Sequence, residues 1–252
     1  LESILPAEGE MVDELVSLGI LAECDGARPG HERFRNCIVF PVFDLDGTLV
    51  DSAPDIHAAL DRLMAQKRLP GFARAEVIGM IGDGVRVLLE RAFAARNMAL
   101  DEASHAAFMA DYEANAAVLT RAFDGIPELL GLLRGAGWRL AVCTNKPEGP
   151  TRDILKAVGL DGVFLSLVCG DTLAVKKPEP DPLIACFAEL GGEGVYVGDS
   201  EIDAETAVRA GVPFALFTEG YRKTPTSALP HAVAFSDFSR LPGIVAEMGT
   251  LS

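Results

Sequence analysis

Beyond Cys37 the chain alternates between short unbroken apolar runs and stretches where apolar residues recur every three or four positions. The runs at residues 42–45, 139–144, 165–169, 195–198, 214–217 and 233–235 predict strands. Because they carry no polar alternation, both faces of each strand are expected to be covered. Between them lie helical patterns with readable ends. Pro127 suits the first turn of a helix striped by Leu129, Leu130, Leu132 and Leu133, which Gly135 or Gly137 closes. Residues 152–158 stop at Gly159, and residues 202–210 stop at Gly211. Strands alternating with helices predict an α/β fold with a Rossmann-like parallel sheet, whose ligands gather at the carboxyl ends of the strands.

One stretch departs from the alternation. Residues 53–125 show only helical periodicity, starting at Ser52 as an expected N-cap with Asp55 three residues on. Ile56, Leu60, Leu63 and Met64 follow at helical spacing. Gly79, Gly82 and Gly84 interrupt the pattern, and further helices are expected from Val85 and over 102–121. The expected organisation is therefore an α/β core at 37–52 and 126–252, with an all-helical cap domain of residues 53–125 inserted after the first strand. Residues 1–36 fit neither unit and read as an appended amphipathic helix and loop.

Composition narrows the function classes. Lys and Arg number 22 against 37 Asp and Glu, a formal net charge of −15. Such a surface repels phosphate backbones and anionic lipid, which argues against nucleic-acid and membrane partners. No apolar run approaches the roughly 18 residues of a membrane-spanning helix, and the first residues do not read as a secretory signal. Five cysteines without a CxxC pair fit a reduced, cytoplasmic protein.

The chemistry concentrates at four strand ends. In Asp44-Leu45-Asp46-Gly47-Thr48, two acids spaced by two leave an apolar strand on the same side, and Gly47 lets the chain turn sharply. Convergent carboxylates at a strand end suit a divalent cation with a nucleophile beside it, although short Asp-x-Asp pairs also occur as ordinary turns. Thr144 and Asn145 end a second strand with groups able to hold phosphoryl oxygens. Lys176 and Lys177 precede Pro178, Pro180 and Pro182, which are expected to keep the segment extended and stiff, so a lysine there can meet a phosphate as a point charge. A solvated basic pair is the other reading. In Gly198-Asp199-Ser200-Glu201-Ile202-Asp203, Asp199 at the strand terminus is the metal-ligand candidate. Asp203 also fits the first turn of a helix, where the macrodipole favours an acid.

The order of acid pair, Thr/Asn, lysine and acid pair resembles the haloacid dehalogenase superfamily over residues 37–252. The stretches 44–54, 77–84, 144–147, 177–182 and 218–221 look most like phosphoglycolate phosphatases. The resemblance implies a Mg²⁺-dependent phosphatase in which Asp44 attacks phosphorus and Asp46 is the acid/base. It also implies a cation held by the Asp44 carboxylate, the Asp46 carbonyl and Asp199. Thr144, Asn145 and Lys177 would bind the phosphoryl group, and Asp203 would orient Lys177 or a water on the metal. For the cap, backbone near Gly82 and Gly84 and the cation of Arg86 are the expected contacts to a small anionic phosphomonoester, 2-phosphoglycolate being the best candidate. Rival readings are another small-metabolite phosphatase, a phosphomutase or a dehalogenase on the same core, and a catalytically silent binding protein. Monomer and homodimer both remain open. Pro41, three residues before Asp44, predicts that the first strand either starts at Pro41 or has its pairing interrupted there.

Overall fold

The computed structural model describes residues 40–250, so the helix and loop expected over 1–36 lie outside the described residues. Six parallel strands form one sheet in the order β5-β4-β1-β6-β7-β8. They are β1 (Phe40–Phe43), β4 (Ala141–Cys143), β5 (Ser166–Val168), β6 (Gly194–Gly198), β7 (Phe214–Phe217) and β8 (Val233–Phe235). All six expected strands form, with ends displaced by up to two residues.

Strand periodicity separates the two faces of the sheet. Phe43, Val142, Val197 and Phe217 pack into one apolar cluster with Leu129, Leu133 and Leu241. Phe40, Val42, Cys143, Tyr196 and Leu216 point the other way, against Leu183, Phe187 and Ala204. The helices that cover the sheet are α5 (Ile126–Gly135), α6 (Glu148–Ala157), α7 (Asp181–Leu190), α8 (Glu201–Ala210) and α9 (Leu241–Thr250). From β1 the chain winds outward through β4 and β5, then returns to β6 on the other side. The order therefore reverses at β1, and the crevice lies beyond its carboxyl end.

Pro41 sits inside β1 rather than before it, paired in register with Val195. The N–H groups of Phe40 and Asp44 both donate toward β6, to Glu193 and Val197. Alternation then turns position 41 toward β4, whose pairing with β1 begins only at Val42. Proline takes the one place in the strand where a missing N–H removes no ladder bond.

The inserted segment is not purely helical. It contains α1 (Ala53–Gln66), α2 (Arg74–Ile78), α3 (Val85–Ala94) and α4 (Glu102–Asn115). Its ends are tied by an antiparallel ribbon of β2 (Val50–Asp51) and β3 (Arg121–Ala122). Two-residue strands are too short to register as alternation, and only the meeting of entry and exit chains creates them. The helix expected to reach 121 stops at Asn115 because Asp55 captures the amides of Leu119 and Thr120 and the Thr120 hydroxyl. Asp55 therefore forms no capping box with Ser52, whose side chain makes no cap hydrogen bond. The proline-rich stretch is also not extended throughout, since Pro182 lies in the first turn of α7.

Candidate active site

β1 ends at the hydrogen bond from the Asp44 amide to the Val197 carbonyl, 2.8 Å, which fixes Asp44 to β6. The chain then folds back, and the amides of Thr48, Leu49 and Val50 all donate to the Leu45 carbonyl. This turn requires φ +91° at Gly47, and a Cβ there would lie 2.5 Å from Asp199 Oδ2. Gly220 closes on the same Asp199 carboxylate from the other side, leaving no room for a side chain. Only glycine allows such backbone approach. Thr48 Oγ1 donates to Asp199 Oδ1 at 2.8 Å and the Tyr221 amide to Oδ2 at 2.6 Å. The segment around Gly220 and Tyr221 thus seats Asp199.

Lys177 sits on the floor of the crevice with all three donors used. Its Nζ donates to Asp44 Oδ1 at 2.8 Å, Asp203 Oδ1 at 2.7 Å and the Tyr196 hydroxyl at 2.8 Å. Its neighbour Lys176 turns away and donates to the Asp83 carbonyl, 2.8 Å, so the two adjacent lysines serve different surfaces. Asp203 Oδ1 also accepts from Tyr196, and Oδ2 accepts from Ser200 Oγ and the amides of Ser200 and Asp199. Its acceptor capacity is filled. Asp44 Oδ2, by contrast, has no hydrogen-bond partner among the described residues.

Asp44, Asp199 and Asp203 each offer an oxygen within 4.8 Å of the others, all buried. Burial pushes Asp44 up to about 7 against the pull of Lys177. Burial, with Asp203 and Asp44 close by, puts Asp199 well above the usual carboxylate range. Burial acts on Asp203 in the same direction, but the Lys177 ammonium and the hydrogen bonds from Lys177, Ser200 and Tyr196 outweigh it and hold Asp203 low. Lys177 resists the lowering effect of burial because Asp203 and Asp44 flank it. When ionised, three acids against one ammonium leave two uncompensated buried negative charges, which a divalent cation would offset. The donor set therefore could hold a metal ion, and Asp44 and Asp199 retain the oxygen capacity for it.

Asp46 faces the same cleft but lies outside that cluster. Both its oxygens accept from Lys146 Nζ, at 2.8 and 3.0 Å, and Oδ1 also accepts from Ser52 Oγ at 2.5 Å. This is where the expected N-cap serine goes. Lys146 is buried, with Nζ 5.0 Å from the ring centroid of Tyr112 on α4. Burial would strip its charge, but Asp46 opposes this and keeps it an ammonium. Lys146 is not among the residues expected from sequence, although a lysine directly after the strand-end Thr144-Asn145 pair is a local signal for it.

Thr144 lines the cleft, and its hydroxyl oxygen accepts from the Lys146 amide. Asn145 lines it too, but Nδ2 donates to the carbonyls of Lys177 (2.9 Å) and Gly82 (3.1 Å) rather than pointing freely at a ligand. Gly82 and Gly84 border the cleft at φ +120° and +90°. Arg86 does not reach it, because its guanidinium pairs with Glu102 on the surface at 2.9 Å. Asp83 likewise turns outward to Arg91, 2.6 Å. What the loop presents to the core is a row of carbonyls. Ile81 accepts from Lys223, Gly82 from Asn145 and Asp83 from Lys176, three donors from three strand-end loops.

The cleft so enclosed has a volume of about 50 Å³. Its floor is Asp44, Asp46, Thr144, Lys146, Lys177 and Asp199, and its roof is largely apolar, with Ile56, Ile81, Val85, Leu88, Phe108 and Tyr112. A strand-end aspartate, a second acid two residues on and a buried lysine under a helical roof define a class. Residues 41–217 match the haloacid dehalogenase-like hydrolases, and the chain belongs to that family. It is 49% identical over 212 residues to the phosphoglycolate phosphatase of Cereibacter sphaeroides, covering 82% of this chain and 97% of that protein. The phosphoglycolate phosphatase of Rhodospirillum rubrum is 41% identical over 211 residues, 79% of this chain and 88% of that one. The crystal structure of a predicted phosphoglycolate phosphatase from Haemophilus somnus superposes with a TM-score of 0.76 at 31% identity, covering 81% and 96% of the two chains. Among the described residues no helix is long and apolar enough to cross a membrane.

Proposed function

We propose that the protein is a Mg²⁺-dependent phosphatase that hydrolyses 2-phosphoglycolate to glycolate and phosphate through an aspartyl-phosphate. The observation that carries this reading is the unpartnered Oδ2 of Asp44, whose other oxygen is held by Lys177 in a cleft shared with Asp46. Likeness to relatives named for that activity supplies the substrate. Asp44 Oδ2 attacks phosphorus as the bond to the glycolate oxygen breaks, and Asp46 delivers a proton to that oxygen. Asp46 then takes a proton from water, whose oxygen attacks the same phosphorus and frees Asp44 and phosphate. Lys177, its three donors held by Asp44, Tyr196 and Asp203, places a positive charge beside the phosphoryl group, and the Thr144 hydroxyl binds a phosphoryl oxygen. Asn145, with its amide committed to two carbonyls, positions Lys177 and the cap loop. Asp203 is a positioning residue that orients Lys177.

Asp44 and Asp199, with the Asp46 main-chain carbonyl, would hold the cation. When bound it supplies positive charge that keeps Asp44 ionised beside an anionic phosphate. In this reading residues 53–125 work as a cap domain over a core of 37–52 and 126–252. The buried free thiols of Cys143, Cys169 and Cys186 suit a reducing cytoplasm. A phosphomutase would use the same core, and only substrate turnover separates it from a hydrolase. The test is turnover of a panel of phosphomonoesters with Mg²⁺ and with a chelator. Phosphoglycolate should rank first and the chelator should abolish the rate; a flat profile would reject the substrate.

A further inference from the structure

Phosphoglycolate has a second anionic end, its carboxylate, for which the reading above names no partner. Two cations line the cleft, Lys146 and Lys177. Lys177 is committed to Asp44, Asp203 and Tyr196, at the end where the phosphoryl group must sit. Lys146 is different. Its Nζ donates to both oxygens of Asp46, and Tyr112 is its further neighbour. Beside it stands Tyr112, 1% exposed, whose buried hydroxyl makes no hydrogen bond among the described residues. An orphaned hydroxyl in a closed, otherwise apolar roof is a cost that a bound polar group removes. The remaining cap residues that line the cleft (Ile56, Ile81, Val85, Leu88 and Phe108, with Gly82 and Gly84) bring no side-chain donor.

We infer that Lys146 Nζ and the Tyr112 hydroxyl together form the subsite for the substrate carboxylate, one donor for each oxygen. The pair spans the cleft, since Lys146 comes from the loop after β4 and Tyr112 from α4. Recognition of the carboxylate therefore needs the inserted helices closed over the core. A charge-assisted bond at a buried site is among the stronger polar contacts, so the pair sets specificity rather than general affinity for phosphate.

This inference rests on the proposed substrate, and one experiment separates the two. Steady-state kinetics are measured for phosphoglycolate and for ethyl phosphate, which has a methyl group in place of the carboxylate. The parent, Tyr112→Phe and Lys146→Met are compared after melting curves confirm that each is folded. The expected result is a fall in the kcat/KM ratio of phosphoglycolate to ethyl phosphate on the order of tenfold for Tyr112→Phe, mainly through KM. For Lys146→Met the fall is on the order of a hundredfold. Should Lys146→Met fail to fold, Tyr112→Phe alone decides, since it removes only an unpartnered hydroxyl. A parent that prefers phosphoglycolate with a ratio unmoved in the variants would overturn the subsite alone. A parent with no preference for phosphoglycolate would overturn both readings.

Discussion

At the scale of single residues, position along one strand end separates the roles of two aspartates two residues apart. Asp44 keeps one oxygen free beside a lysine with no donor to spare, while both oxygens of Asp46 are tied to Lys146. Asp44→Asn should lower kcat by about 10⁴-fold or more while the protein remains folded, because the nucleophile has no substitute. Circular dichroism and turnover of any good substrate check this, and an active variant would reject the mechanism. For Asp46→Asn the expected loss is about 10²–10⁴-fold on phosphoglycolate. It should be much smaller on an aryl phosphate, whose leaving group needs no proton. Equal losses on the two substrates would show that Asp46 is not the acid. Asp44, Asp46 and Asp199 could be picked out from their neighbours in sequence, because an acid at the end of an apolar strand is a local pattern. The Lys146–Asp46 pair could not, since its members lie 100 residues apart.

At the scale of elements, the segment between α2 and α3 holds the inserted helices to the core. From sequence, Gly82 and Gly84 are expected to permit close backbone approach, with the N-terminal amides of the following helix aimed at an anion. The structure shows three successive carbonyls gripped by Lys223, Asn145 and Lys176. Lys176→Met removes one grip without touching the cleft floor. It should lower kcat/KM for phosphoglycolate severalfold, and less for an aryl phosphate, which depends less on closure. Gly84→Pro should act more strongly in the same direction, because φ +90° is closed to proline. Equal losses for the two substrates in both variants would mean that the contacts only stabilise the fold. The β2–β3 ribbon was invisible for a related reason. A two-residue strand has no period of its own, and it exists only where the two ends of the insertion meet.

At the scale of the whole molecule, the buried acids couple global stability to pH and to metal. Asp44 titrates at about 7 in the folded protein against an ordinary 3.8, with burial the first cause. Its folded form binds a proton more tightly than its unfolded form. The stability this confers is complete below about 4 and is lost as pH rises through about 7. A cation competes for the same oxygens. Mg²⁺ should therefore raise the melting temperature little at pH 5.5 and by several degrees at pH 8, as mass action predicts for a ligand well above its Kd. Melting curves at the two pH values check this; an equal shift at both, or none, would remove Asp44 and Asp199 as ligands.

The six strands, the Gly-terminated helices and the four strand-end motifs were determined by sequence alone. Each depends on interactions within a few residues, whether a period, a cap or a turn. Tertiary structure decided which of two adjacent lysines faces Asp44, sending Lys177 there and Lys176 to the Asp83 carbonyl. It also took Ser52 from its expected cap to Asp46, turned Arg86 outward to Glu102, and let β1 accept Pro41 where β4 has not yet paired. The physical reason is the same in each case. The worth of a charge or a hydrogen bond is set by burial and by the partner it meets, and both arise only when distant segments fold together.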